Sequence, residues 1–342
     1  MRQMPEVSKM ATEMAEQPTA LAALIERRAK IETAVAAVVP RSLAGTVLVA
    51  RGSSDHAAAG GRYLLEMASG RPTALGSPSI SSRYQADIDF SGYLVIALSQ
   101  SGQTPEISAY LERARATGGV GIAITNDASS PLAEVADLTV DLATGPERAV
   151  PATKTVTAEM LALVMVAGAL GQRSVDPASL EELPAQVGAV LADQGPAAAV
   201  AAQLAGSERI LTVARGILQG AALETALKIE EITGKMVASH SAADFLHGPI
   251  AIADPDLPVI ALDSAGPTHI DVARLVEKLR GLGCAVHVAG PDPGAELPLP
   301  AAPEALASIL AVVRGQQIAG SLAVLLGLDP DRPAGLSKVT VT

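Results

Sequence analysis

A chain of 342 residues with 49% hydrophobic side chains can bury two domain cores, and that apolar fraction excludes disordered, low-complexity and collagen-like classes. With 36 acidic against 25 basic residues the formal charge is −11, so no nucleic-acid partner is expected and an anionic ligand must be held by local groups. The one cysteine, Cys284, excludes an internal disulfide, no Cys/His cluster has zinc spacing, and the N-terminus lacks an apolar leader; a reducing cytoplasm is the expected compartment.

Residues 1–41 read as a helical segment, with Leu21, Leu24 and Ile25 on one face and a stop at Pro40. The run 46–50 (TVLVA) then predicts a strand that ends at Arg51-Gly52-Ser53-Ser54-Asp55, followed by an alanine-rich helix over 56–66. A second such unit has its strand at 93–98 (YLVIAL), its turn at Ser99-Gln100-Ser101-Gly102-Gln103-Thr104, and a helix over 105–117 that opens on Pro105. Further strands are predicted at 120–125 and 138–142. Near-continuous apolar strands alternating with helices indicate an α/β fold with a doubly wound parallel sheet. The apolar stretches 160–170 and 309–328 are too short, or too interrupted by Arg314, Gln316 and Gln317, for a membrane span, and are expected to be buried helices.

The sequence also repeats. Val49-Ala50-Arg51-Gly52 returns 164 residues later as Val213-Ala214-Arg215-Gly216, and Val95-Ile96-Ala97-Leu98 returns at the same offset as Val259-Ile260-Ala261-Leu262. A shared offset at equivalent places in two strand-turn-helix units implies two copies of one domain, assigned here to 42–190 and 191–328. The join, within 172–208, has the pattern of amphipathic helix and not of a flexible linker, so the halves should be docked. A tail, 329–342, has no helical period and should fray unless something holds it.

The copies differ in their turns. The first offers Ser53, Ser54, Ser99, Gln100, Ser101 and Thr104, neutral donors at helix N-termini that suit an anion. At the matching places the second has Ile217, Leu218 and Asp263, with Pro267 removing an amide. Helix capping is the plainer explanation for any one of these hydroxyls, but two such turns at strand carboxyl ends favour a ligand site. Neither GxGxxG after a strand nor GxxxxGK[ST] occurs, which leaves a small phosphorylated metabolite.

In the second copy, helix 220–233 aligns Glu224, Lys228 and Glu231 on one face; by itself this is an ordinary solvated ladder. The polar stretch 239–249 that follows reads as an irregular loop carrying His240 and His247, either of which could supply an acid or base near that helix. Lys154 and Lys338 read as solvated charges on their own signal, and His56, His269 and His287 form no constellation.

The ordered set Glu16-Gln17-Pro18, Arg51 to Ala57, Leu98 to Thr104, Ala152-Thr153-Lys154, Glu224 to Glu231, His247-Gly248-Pro249 and Leu336 to Val341 resembles the sugar isomerases with two SIS domains. Its nearest likeness is to the isomerase half of glucosamine-6-phosphate synthase and to stand-alone amino-sugar-phosphate isomerases and deaminases. The resemblance implies that Ser53, Ser54, Ser99, Gln100, Ser101, Thr104, Val150, Ala152, Glu224 and Lys228 bind a phosphosugar. It implies that Glu231 moves a proton between C1 and C2, that His247 assists ring opening, and that Lys338 contacts the open-chain ketose or forms an imine with it. It further implies a homodimer with shared sites and no metal or organic cofactor. Arg51 and Ala152 replace the family's usual cysteine and serine, Gln103 replaces its usual glutamate, and the synthase's glutaminase domain has no counterpart. The resulting expectation is deamination of glucosamine 6-phosphate to fructose 6-phosphate and ammonia; a deglycase acting on a sugar-phosphate amine adduct and a non-catalytic sugar-phosphate regulator stay open.

Overall fold

The computed structural model describes residues 7–171 and 175–338. Sheet one holds β1 (Gly45–Val49), β2 (Thr73–Leu75), β3 (Tyr93–Leu98), β4 (Val120–Thr125) and β5 (Leu138–Asp141), in the spatial order β2-β1-β3-β4-β5. Sheet two holds β6 (Arg209–Ala214), β7 (Met236–Ser241), β8 (Val259–Leu262), β9 (Val286–Gly290) and β10 (Leu297–Pro298), in the order β10-β9-β8-β6-β7. Every pairing is parallel. Numbered within its own copy, each sheet has the strand order 2-1-3-4-5, so the repeated motifs mark a duplicated topology. The central strands are buried on both faces, which is why their sequences are nearly all apolar and do not alternate.

Helices fill the space between the sheets. Ser53–Ser69 packs on β1 to β3 and Gln219–Thr233 on β6 to β8, and the two helices also pack on each other. One continuous core runs through both copies, from Leu48 and Ile96 through Leu161 and Ile229 to Ile260 and Leu310, so the halves are docked as expected. The join contains the helices Pro177–Ala192 and Gly195–Leu204, the first of which runs across the boundary placed at 190/191. Helix Glu304–Leu325 is apolar enough to resemble a membrane span, yet 78% of its most apolar window is buried in this core. Its polar interruptions find partners there: Arg314 donates through its terminal nitrogens to Asp193 O at 2.6 Å and Pro298 O at 2.9 Å, and Gln316 Nε2 donates to Thr153 O at 3.2 Å.

The two equivalent helices cross at a pair of glycines. A Cβ on Gly220 would lie 2.4 Å from His56 O and 2.9 Å from Gly60 N, so the backbones touch where no side chain fits. On the other flank of the crossing His56 Nδ1 lies 2.9 Å from Glu224 Oε2.

One expectation changes at this level and two become specific. The N-terminal segment forms three helices, Lys9–Ala15, Gln17–Glu26 and Arg28–Val38, although Leu21 and Leu24 are buried as the pattern requires. The stretch 239–249 is ordered: β7 runs to Ser241 and a short helix, Ala242–Leu246, follows, because Ala242 and Phe245 are drawn into the second copy's core. The tail is held, since the Asp331 carboxylate accepts the N–H of Lys9 at 2.7 Å and of Met10 at 3.0 Å. Residues 339–342 lie outside the described residues.

Candidate functional site

In an open sheet of this strand order a ligand crevice opens at the carboxyl ends of the two strands where the winding reverses, here β1 and β3. A cavity of about 370 Å³ lies there. Its floor is the pair of turns that follow those strands, with Ser53 and Ser54 on one side and Ser99, Gln100, Ser101 and Thr104 on the other. Val150 and Ala152 form a further wall, and Glu231, Ser337 and Lys338 close it from the second copy and the tail. A larger cavity of about 450 Å³, lined by Met10, Met14, Leu191, Val324 and Leu325 among others, contains no ionisable side chain and offers no such chemistry.

Capping does not account for the hydroxyls. Helix Ser53–Ser69 begins after Gly52 and helix Pro105–Ala116 after Thr104, and neither start has a side-chain cap bond. Ser53 Oγ instead lies 3.2 Å from Lys228 Nζ, Ser54 Oγ lies 2.8 Å from Glu159 Oε1, and Ser99 Oγ accepts the N–H of Gly102 at 3.2 Å. Gly102 adopts φ +61°, and a Cβ there would fall 2.0 Å from Ser130 Oγ, so this turn tolerates only glycine.

Behind the donors lies a buried charge network. Glu224 and Lys228 are each 1% exposed, which overturns the solvated-ladder reading of that helix face: the helix crossing presses it onto the first copy. Lys228 bridges Glu224 Oε1 at 3.4 Å and is ion-paired with Glu231 Oε2. Burial alone would raise the Glu224 carboxyl, but the Lys228 ammonium and His56 outweigh it and hold it below the usual carboxylate range. Lys228 is pushed above the usual lysine range, because its two carboxylate partners overcome the opposing effect of burial. For Glu231 burial wins: its pKa is raised despite Lys228, and repulsion from Glu224 adds to the rise. A carboxyl poised upward in this way is suited to taking and returning a proton nearer neutral pH.

A second pair, buried at its carboxylate and half-buried at its lysine, holds the tail. Lys338 Nζ lies 3.1 Å from Glu147 Oε2. Burial pushes the Glu147 pKa up, but Lys338, the Thr155 hydroxyl and the N–H groups of Thr153 and Thr155 together keep it low. Glu159 is the exception in this group. It is 1% exposed, and burial raises its pKa to about 8 against the lowering effect of the Ser54 bond.

The structure therefore brings Ser53, Ser54, Ser99, Gln100, Ser101, Thr104, Val150, Ala152, Glu231 and Lys338 to one cavity, with Glu224 and Lys228 directly behind it. His247 is not among the lining residues; it follows helix Ala242–Leu246 on an exposed surface. Two lone-residue readings need correction. Lys154 is 1% exposed, paired with Glu16 and donating to Pro146 O at 2.8 Å, so it is a buried structural cation. His56 and His269 do have partners, Glu224 for the first and Asp263 Oδ2 at 2.7 Å for the second. His287 is buried in β9, as a structural histidine should be. Sequence reasoning missed Glu147 and Glu159, whose side-chain partners Lys338 and Ser54 lie far away in the chain.

The fold and the crevice define an α/β protein built from a tandem duplication. The chain belongs to the SIS domain family, whose pattern matches residues 46–169 and 203–289. It is 31% identical to glutamine–fructose-6-phosphate aminotransferase (isomerizing) of Symbiobacterium thermophilum over 91% of this chain and 54% of that protein. The chain thus spans about half the length of the curated relatives it matches. Among solved structures it is similar to a protein of Silicibacter pomeroyi DSS-3 proposed to be a phosphosugar isomerase, with 31% identity, a TM-score of 0.85, and coverage of 95% of this chain and 100% of that one. Its fold is also similar to that of a glucosamine-6-phosphate deaminase from Thermotoga maritima, with 22% identity, a TM-score of 0.81, and coverage of 98% and 100%.

Proposed function

We propose that this chain is a phosphosugar isomerase that interconverts an aldose and a ketose through a shared enediol-type intermediate, with a 6-phosphorylated amino sugar as its substrate. The observation that carries the reading is that a neutral donor cradle, a carboxyl with a raised pKa and a lysine all line one cavity. The hydroxyls of Ser54, Ser99, Ser101 and Thr104 hold the phosphate without a competing charge. Glu231 removes the proton beside the carbonyl or iminium carbon and returns it to the neighbouring carbon. Lys228, ion-paired with it, fixes its orientation. Lys338 meets the open-chain carbonyl end, and His247 acts on the ring oxygen from a second copy of the chain, which makes the working unit a homodimer.

With glucosamine 6-phosphate the sequence is isomerisation to the 2-imino ketose, then addition of one water and loss of ammonia to give fructose 6-phosphate. The relatives support this reading by their names, and no metal or organic cofactor enters any step. Ammonia release from glucosamine 6-phosphate tests it. Glu231→Gln should lower the rate by about 10²- to 10⁴-fold, and unimpaired turnover in that variant would overturn the assignment. A wild-type protein that binds sugar phosphates without turning them over would be a regulator, and activity confined to amine adducts in a substrate panel would make it a deglycase.

A further inference from the structure

Among the buried carboxyls grouped around the cavity, Glu159 stands apart from Glu147 and Glu224 because it has no cation of its own. It sits on helix Lys154–Leu170, beneath the floor of the cavity, with Oε1 2.8 Å from Ser54 Oγ. Lys338 is engaged by Glu147, and Lys228 by Glu224 and Glu231. Among the described residues no ion pair reaches Glu159. An unpaired carboxylate buried this deeply is disfavoured by several kcal/mol, and such a group takes up a proton.

The proton has a geometric consequence. A carboxylic acid has one O–H to donate, and Ser54 Oγ is the partner within reach. If Glu159 donates to that oxygen, the Ser54 hydroxyl hydrogen is released to point into the cavity that Ser54 lines. If Glu159 is ionised, it captures the same hydrogen, leaves a lone pair facing the cavity and adds a negative charge behind it. We propose that the protonated carboxyl of Glu159 sets the Ser54 hydroxyl as an anion donor, so that each phosphate bound at this cavity requires one proton held on Glu159.

The inference rests on the phosphosugar reading of the cavity and names a positioning residue for it. The charged groups facing Glu159 are Glu147 from the preceding loop, Glu224 from helix Gln219–Thr233, and Lys338 from the tail. Lys228 and His56 lie one contact further, both on Glu224. Both carboxylates oppose ionisation of Glu159, and Lys338 favours it. A bound phosphate would oppose it again, which is the coupling required. The same coupling makes the direction of the pH effect definite: Glu159 has its pKa near 8, so the proton is present at neutral pH and lost above it.

The test is calorimetric titration of the whole protein with fructose 6-phosphate from about pH 7 to about pH 9.5, in paired buffers of different ionisation enthalpy. The wild type should lose affinity by up to about tenfold per pH unit above about 8, with proton uptake rising toward about one per site. Glu159→Gln, which keeps the amide N–H as a permanent donor to Ser54 Oγ, should bind at pH 7 and hold that affinity at pH 9 with no proton uptake assignable to this site. Contributions from Lys228, Lys338 and His56 are common to both proteins and cancel in the comparison. Binding by the wild type that is flat in pH and buffer-independent would overturn the inference and leave the phosphosugar reading intact; so would a Gln variant with the wild-type pH profile. Absence of fructose 6-phosphate binding at every pH would overturn both. If the variant misfolds, the wild type still tests the inference, because binding that is flat in pH and buffer-independent overturns it without reference to the variant.

Discussion

The two crevices of this molecule share a strand order and differ in what fills them. At β1/β3 the turns present hydroxyls to a cavity. At β6/β8 the corresponding turns are closed by the protein's own groups: Ile217 and Leu218 are buried, and Asp263 occupies the place of Ser99. Asp263 accepts the N–H of Ser264 at 2.8 Å and meets His269 Nδ1 at 2.7 Å, while Glu304 Oε1 accepts from Thr268 Oγ1 at 2.8 Å. Burial raises the pKa of both Asp263 and Glu304, although hydrogen bonds to each oppose the rise. The switch point of a doubly wound sheet is therefore only an opportunity; the turn side chains decide whether an anion can use it.

The sharpest way to break the contrast is to move the second copy's carboxylate into the first. Ser99→Asp places a charge about 4 Å from a bound phosphate, which at an effective dielectric of about 20 costs ~4 kcal/mol and should weaken fructose 6-phosphate binding by about a thousandfold. Calorimetry reads this directly, and a loss below about tenfold would show that Ser99 does not face the ligand.

The next effect concerns stability and pH. Glu159 has a pKa of about 8 in the folded protein against an ordinary 4.5, so the folded state holds a proton that the unfolded chain has released. Its contribution is complete below pH 4.5 and is lost as pH rises to about 8, at up to roughly 1 kcal/mol per unit. Glu159→Gln should accordingly gain stability over the wild type progressively across that window in urea unfolding. Glu147 and Glu224, held low by their cations, act in the opposite sense: their contribution is present above 4.5 and lost as pH falls. A Gln variant whose advantage does not grow with pH would contradict the raised pKa.

Overpacking the helix crossing should cost less. Gly220→Ala gains helix propensity of about 1 kcal/mol, but its methyl meets backbone that cannot step aside, so a net loss of about 1 to 3 kcal/mol is expected in urea unfolding. The smallest effect belongs to the second crevice. Asp263→Asn should leave fructose 6-phosphate affinity within about twofold of wild type, as for independent sites; a large change would tie the two crevices together.

Much of the fold was legible in the sequence because buried parallel strands leave near-continuous apolar runs, and because duplication repeats them at one offset. The hydroxyl turns were legible for a related reason, as their chemistry is local and sits where such runs stop. The charge network was not. His56 and Glu224 are separated by 168 residues, and nothing in either neighbourhood signals the other. Glu147 carries no mark of burial in its own segment, and the apolar pattern of helix Lys154–Leu170, which does predict burial, says nothing of what Glu159 meets there. Placing 56 beside 220 and 60 beside 224 at the repeat offset shows a histidine and a glutamate each replaced by glycine, which was a usable signal.

That substitution pattern has a consequence for how such a protein can be built. Two identical helices meeting about a twofold axis must repeat every contact, so their seam would carry either two imidazole–carboxylate pairs or two bare glycine contacts. The first would wedge the helices apart, and the second would leave no polar clasp to hold Glu224 in place. Joining the copies in one polypeptide frees each flank to be edited alone, tight on one side and ionic on the other. A lopsided seam of this kind is available to a covalent tandem and denied to any self-pairing single copy.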